Sequence, residues 1–165
     1  MKIGKNDELT LMPASTDDIA QVRERSRRLV RKRAAISAGV AAIPLPGVDI
    51  LADLTAFATM VEEINKAFGL TPEQIERLQP RLRIVAYEAA ASLGGMLVGK
   101  LITRELVMHL FKKSGLKLAA KTTAKMVPLA GQLASAAIGF ALFRQMGYQH
   151  VEACVKVVEE VGKVA

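Results

Sequence analysis

The chain has 165 residues, 51% of them apolar, with 23 Lys and Arg against 16 Asp and Glu and a formal net charge of +7. This size suits a single domain that buries a substantial core, and one cysteine, Cys154, excludes an intrachain disulfide framework. With no Trp, five Phe and two Tyr, the apolar mass is mostly Ala, Val and Leu, a mixture suited to close-packed helices; the positive balance points to an anionic partner, whether lipid head groups, nucleic acid or an acidic protein.

Residues 1–14 are polar and mixed and are expected to form a flexible arm, with residues 15–165 as one helical domain. The first ten residues hold no continuous apolar run of the kind a secretory signal needs, which predicts a cytoplasmic setting. Ser15 or Thr16 can cap the first helix, with Asp17 and Asp18 in its first turn, where the peptide dipole favours carboxylates. Ile19, Val22, Leu29 and Val30 recur at helical spacing and leave a narrow apolar seam. This helix is predicted to run to Ile43. Arg23, Arg25, Arg27, Arg28, Arg31, Lys32 and Arg33 crowd its middle against the single Glu24, the densest charge feature in the chain. Such a cluster can rest on anionic lipid at roughly 1 kcal/mol per basic residue near the surface; the plainer alternative is a solvated face that aids solubility.

No charge occurs between Arg33 and Asp49. Within that stretch Pro44, Pro46 and Gly47 form a corner, because proline fixes its own φ and drives the preceding residue out of helical space. Asp49 and Asp53 open the second helix, predicted over Val48–Phe68 with Ile50, Leu51, Leu54, Phe57, Ala58, Val61 and Ile64 on its apolar face and Gly69 as terminator. Thr71, Pro72 and Gln74 combine a capping-box spacing with proline at the first helical position, and Pro80 is expected to end that short helix. From Arg81 a longer pattern is predicted through Ser92, Leu97 and Leu110 to Lys113, loosened at Gly94-Gly95. Two last segments cover Leu116–Lys125 and Pro128 to about Val161. Pro128, Gly131 and Gln132 form a second corner that echoes the first.

Small residues recur every fourth position at Ala34, Ala38 and Ala42, at Ala91, Gly95 and Gly99, and at Gly131, Ser135 and Gly139, giving smooth faces for close helix packing. The longest uncharged run, Met126–Phe143, has 18 residues and only just reaches the roughly 18 to 20 needed to cross a bilayer, and Pro128, Gly131, Gln132 and Ser135 weaken it further. A soluble bundle, or one that docks on a membrane, is the expectation.

Chemistry is sparse. Gly94–Lys100 matches the spacing of a phosphate-binding P-loop, but Leu101 stands where Ser or Thr should bind magnesium and the segment lies in a helical pattern, not after a strand. Asp49 and Asp53 are one turn apart and read more simply as cap and dipole residues than as an acid–base pair. His150 and Cys154 share a helical face, yet no second His/Cys pair completes a metal site, and His109 stands apart. No catalytic residue, cofactor or metal is assigned. The absence of a helix-turn-helix, zinc module or aromatic-interleaved basic strand argues against nucleic acid.

The corner IPLPGVDILADL, the helix ending at Phe68-Gly69 and the later MVPLAGQLASAAIGFAL resemble the bacterial YcjF-like family of helical domains, with related corners in EcsC-like proteins and in the helical part of immunity-related GTPases. Pro44, Pro46, Gly47 and Asp49 match the first corner, and Pro128, Gly131 and Gln132 the second. The resemblance implies a helical, membrane-associated module often fused to or beside GTPase domains. The chain carries no GTPase motif of its own, so any such link implies a separate partner.

Together these readings predict an all-α, single compact bundle of about five or six helices with two Pro-Gly corners. It is expected to be a non-enzymatic binding module, cytoplasmic and peripheral on the cytoplasmic face of a membrane. Its expected partner is an anionic membrane surface or a protein, a separate GTPase among them, with homo-oligomerisation left open. The seven basic residues of the first helix are the expected contact. The alternative is a soluble, self-associating adaptor bundle with no membrane affinity.

Overall fold

A computed structural model describes residues 12–41, 49–93 and 128–165, with Leu97 and His109 in addition. The fold is all-α. Its described helices are α1 (Thr16–Ala41), α2 (Asp49–Phe68), α3 (Pro72–Glu76), α4 (Pro80–Ser92) and α5 (Pro128–Gly162). The 35-residue α5 is the longest, and α1, α2 and α4 each pack on it while α1 also packs on α2.

Local chemistry sets the helix ends. The Ser15 hydroxyl accepts the Asp18 N–H at 3.0 Å and donates to the Asp18 carboxylate at 2.6 Å, capping α1. At the end of α2 the Leu70 N–H reaches the Asn65 carbonyl at 2.8 Å and the Gly69 N–H reaches the Lys66 carbonyl at 3.2 Å. This paired closure needs a left-handed residue, and Gly69 supplies it at φ 72. Thr71 caps α3 in a full capping box with Gln74, and Pro72 lies in its first turn. The buried Gln74 side chain also donates to the Lys66 carbonyl at 3.2 Å, tying α3 to the end of α2.

Two boundaries differ from the sequence expectation. Pro80 starts α4, since α3 has already closed at Arg77, and a proline in a first turn costs no helical hydrogen bond. The pattern expected from Arg81 to Lys113, loosened at Gly94-Gly95, closes its first part at Ser92, with Leu93 as cap and Leu97 in a bend; of the rest only His109 is described, and it is helical. The Gly94-Gly95 pair that follows makes continuation unfavourable, because glycine loses the most backbone entropy in a helix.

The core gathers Val30 and Ala34 from α1, Phe57, Met60, Val61, Ile64 and Phe68 from α2, Ala86 and Ala90 from α4, and Phe143, Met146, Val151, Cys154, Val157 and Val158 from α5. Phe57 and Phe143 meet edge to face with centroids 5.0 Å apart, an arrangement worth about 0.5–1.5 kcal/mol beyond its burial. Of the small-residue faces, Ala34 is buried but Ala91 is exposed, so the second stripe is not a packing face at its described member. Pro44, Pro46 and Gly47 lie outside the described residues, as do the side chains of Asp49, Asp53, Pro128, Gly131 and Gln132 and the segments 1–11 and 110–127.

Met12, inside the segment expected to be an arm, packs with its backbone against Gly69. A Cβ on Gly69 would come within 2.8 Å of the Met12 nitrogen and 2.9 Å of its Cα. Gly69→Ala therefore combines a positive φ with a backbone clash and should cost about 1–3 kcal/mol in urea unfolding. Gly162→Ala, where a Cβ meets nothing within 4 Å, serves as the neutral control. Equal stability of the two variants would refute the docking of Met12.

Candidate functional site

A helix turns about 100° per residue, so seven basic residues spread over eleven positions cannot share one face. Packing divides them accordingly. Arg23 and Arg27 point to α5, where the Arg23 Nε and Nη2 donate to the two oxygens of Glu152 at 2.9 and 2.8 Å and the Arg27 Nη1 donates at 3.3 Å. Arg33 pairs with Glu63 on α2. Arg28 and Arg31 fold onto Glu24 of their own helix at 3.2 and 3.1 Å, and together they hold its carboxyl below the usual carboxylate range. Arg25 and Lys32 are exposed and lack a carboxylate partner among the described residues.

The Arg23 and Arg27 edge faces a cleft of about 860 Å³ between α1 and α5, which Leu93 after α4 also lines. From α5 the row Arg144, Tyr148, Glu152 and Lys156 lines it, four residues apart and hence on one stripe, with Gln145 and Gln149 beside it. The Arg27 guanidinium lies 4.6 Å from the centre of the Tyr148 ring, and that of Arg144 lies 5.4 Å from the Phe140 ring, close enough for cation–π attraction. Among the described residues the lining therefore holds four cations and one carboxylate. Arg144 and Lys156 have no carboxylate partner among the described residues and were not singled out by sequence reading. Their signal was available in the four-residue spacing along α5, but they are sparse beside the dense run on α1.

His150 and Cys154 do share a face, and that face is the core. Both are buried beside Asn65. The Asn65 amide donates to the Leu97 carbonyl at 3.0 Å, which leaves its Oδ1 to accept from the His150 Nε2–H at 2.9 Å, with the Cys154 sulfur 3.7 Å away. His150 Nδ1 is buried and has no hydrogen-bond partner among the described residues. Burial lowers the His150 pKa to about 4 and raises that of the Cys154 thiol, so both are neutral near pH 7. A neutral, enclosed thiol is a poor nucleophile. Among the described residues no group of three or more His, Cys, Asp or Glu is placed to hold a metal, and His109 is exposed.

Residues 9–159 match a family model described as "Domain of unknown function (DUF697)". No curated protein and no solved structure matches the chain.

Proposed function

The chain belongs to the DUF697 family, and from that premise we propose that it is a non-enzymatic helical module that binds an anionic membrane surface peripherally, on the cytoplasmic face. The observation that carries this reading is the excess of cations over carboxylates around the α1–α5 cleft, joined by Arg25 and Lys32, which have no carboxylate partner among the described residues. No described helix is long and apolar enough to cross a membrane, so contact through surface charge is the mode favoured. The finer resemblance to YcjF-like domains adds a separate GTPase as the class of protein partner. The reading assigns no catalysis; among the described residues the buried His150 and Cys154 are the nearest thing to a reactive pair.

Flotation with phosphatidylcholine vesicles, with and without phosphatidylglycerol, tests it. The protein should float with the anionic vesicles and less so at high salt, because surface charge is screened. Changing Arg25, Lys32, Arg144 and Lys156 together to Gln should weaken binding at least about tenfold, given roughly 1 kcal/mol per basic residue. A folded protein that never floats would remove the reading. It would favour instead the soluble self-associating adaptor, for which Ile36 and Ile84, 54% and 57% exposed, are the supporting feature.

A further inference from the structure

We infer that the α1–α5 cleft is a binding site for a phosphate monoester, in which Glu152 occupies the position of the ligand's oxygens until the ligand displaces it. The inference rests on the anionic-surface reading and names the chemistry that surface would have to present. Glu152 sits with one oxygen on each arm of the Arg23 fork and shares one of them with Arg27. A phosphate takes the same seat, because the planar guanidinium matches the oxygens of carboxylate and phosphate alike. Glu152 is held loosely: its side chain is 37% exposed, and exposed ion pairs are weak.

The charge around the seat exceeds what one carboxylate neutralises. Arg144 and Lys156 stand on the same stripe of α5, two turns before Glu152 and one turn after it. A monoester dianion offers three terminal oxygens and close to two charges, which suits two arginines already converged and two further cations lining the same cleft. A diester offers two such oxygens and one charge, and leaves part of the cleft uncompensated. At about 860 Å³ the cleft accommodates more than a bare ion, and the Gln145 and Gln149 amides can meet hydroxyls on the ester side.

The same phosphate could come from a lipid head group or from a soluble ester, so the test has two arms. In the first, glycerol 3-phosphate and dimethyl phosphate are titrated into the full chain by NMR. Glycerol 3-phosphate should saturate and dimethyl phosphate should not. Arg144→Gln/Lys156→Gln should weaken binding about tenfold or more, and Glu152→Gln should tighten it by up to about tenfold, one charge-assisted competitor being removed. In the second arm, vesicles containing phosphatidic acid or phosphatidylglycerol are compared at matched surface potential.

Preference for phosphatidic acid supports the inference with a lipid source. Saturation by glycerol 3-phosphate without flotation supports it with a soluble source and removes the membrane reading. Equal flotation on both lipids with no saturation overturns the inference and leaves the membrane reading standing. No binding in either arm by protein that is folded by circular dichroism overturns both. Weaker binding by a folded Glu152→Gln variant also overturns the inference, because Glu152 would then be part of the site instead of its competitor.

Discussion

Gly147→Ala is expected to destabilise the protein although alanine is the better helix former. Gly147 lies where α5 crosses α1, and a Cβ there would stand 2.7 and 2.9 Å from the two methyls of Val30 and 3.1 Å from the Met60 Cε. Met60 can move its flexible end aside. Val30 cannot, because it is fully buried and branched at Cβ, which leaves it one favoured rotamer in a helix. The helices must part or Val30 must take a strained rotamer, at about 1–3 kcal/mol for overpacking. Against this stands a helix-propensity gain of about 0.8–1 kcal/mol. Net destabilisation of up to about 2 kcal/mol follows for alanine, and Gly147→Leu should not fold to the native bundle. Combining Gly147→Ala with Val30→Ala should recover part of the loss, a favourable coupling within the roughly 0.5–3 kcal/mol seen for residues in contact. Urea unfolding of the double-mutant cycle measures it. A more stable Gly147→Ala protein would show that the crossing has slack and would sink the argument.

The second large effect is loss of stability in mild acid through His150. Its folded pKa of about 4 lies below the ordinary 6.5, so between these values the unfolded chain binds more protons than the folded one. Stability from the neutral ring is complete above about pH 6.5 and falls as the pH drops toward 4. At about 1.4 kcal/mol per unit the loss approaches roughly 3 kcal/mol. The cause is geometric as well as dielectric. A proton added at Nδ1 would create a buried N–H with no acceptor, because Asn65 Oδ1 already serves Nε2. Among the described residues the polar groups in contact with the ring, the Asn65 amide on α2 and the Cys154 thiol on α5, carry no charge to offset it. Glu24 and Glu76 also have lowered pKa values, and they act in the same direction at lower pH, but both are exposed and screened. Urea midpoints from pH 8 to 4.5 should therefore fall steeply below 6.5 for the native protein. His150→Gln keeps a donor toward Asn65 and should flatten that slope while lowering stability at pH 8. An unchanged slope in the variant would assign the acid sensitivity to other groups.

Local features were legible because they depend on residues a few positions apart. The Ser15 cap, the Thr71–Gln74 box, the Gly69 terminator and the apolar periodicity of α1 and α2 all follow from such neighbours. Pro80 was misread for the same reason in reverse. Proline is compatible with a helix start as well as a helix stop, and the closure of α3 at Arg77 removed the choice. The candidate site was legible only in part. Seven cations on α1 were visible as a run, whereas their division among Glu152, Glu63 and Glu24 depends on carboxylates up to 129 positions away. Arg144 and Lys156 had a periodic signal but no neighbour in sequence to mark them as facing Arg23 and Arg27.

By itself the sequence determined an all-α chain, most of the described helix ends and a basic surface, because propensity, capping and charge are properties of short stretches. Tertiary structure decided what those stretches face. It turned the His150–Cys154 face into the core, made Gly147 a contact point for Val30, and set two arginines of α1 against the α5 row that lines the cleft. Periodicity specifies which residues share a face of a helix; which face meets which neighbour depends on crossing geometry between distant segments, and that is settled only when the helices pack.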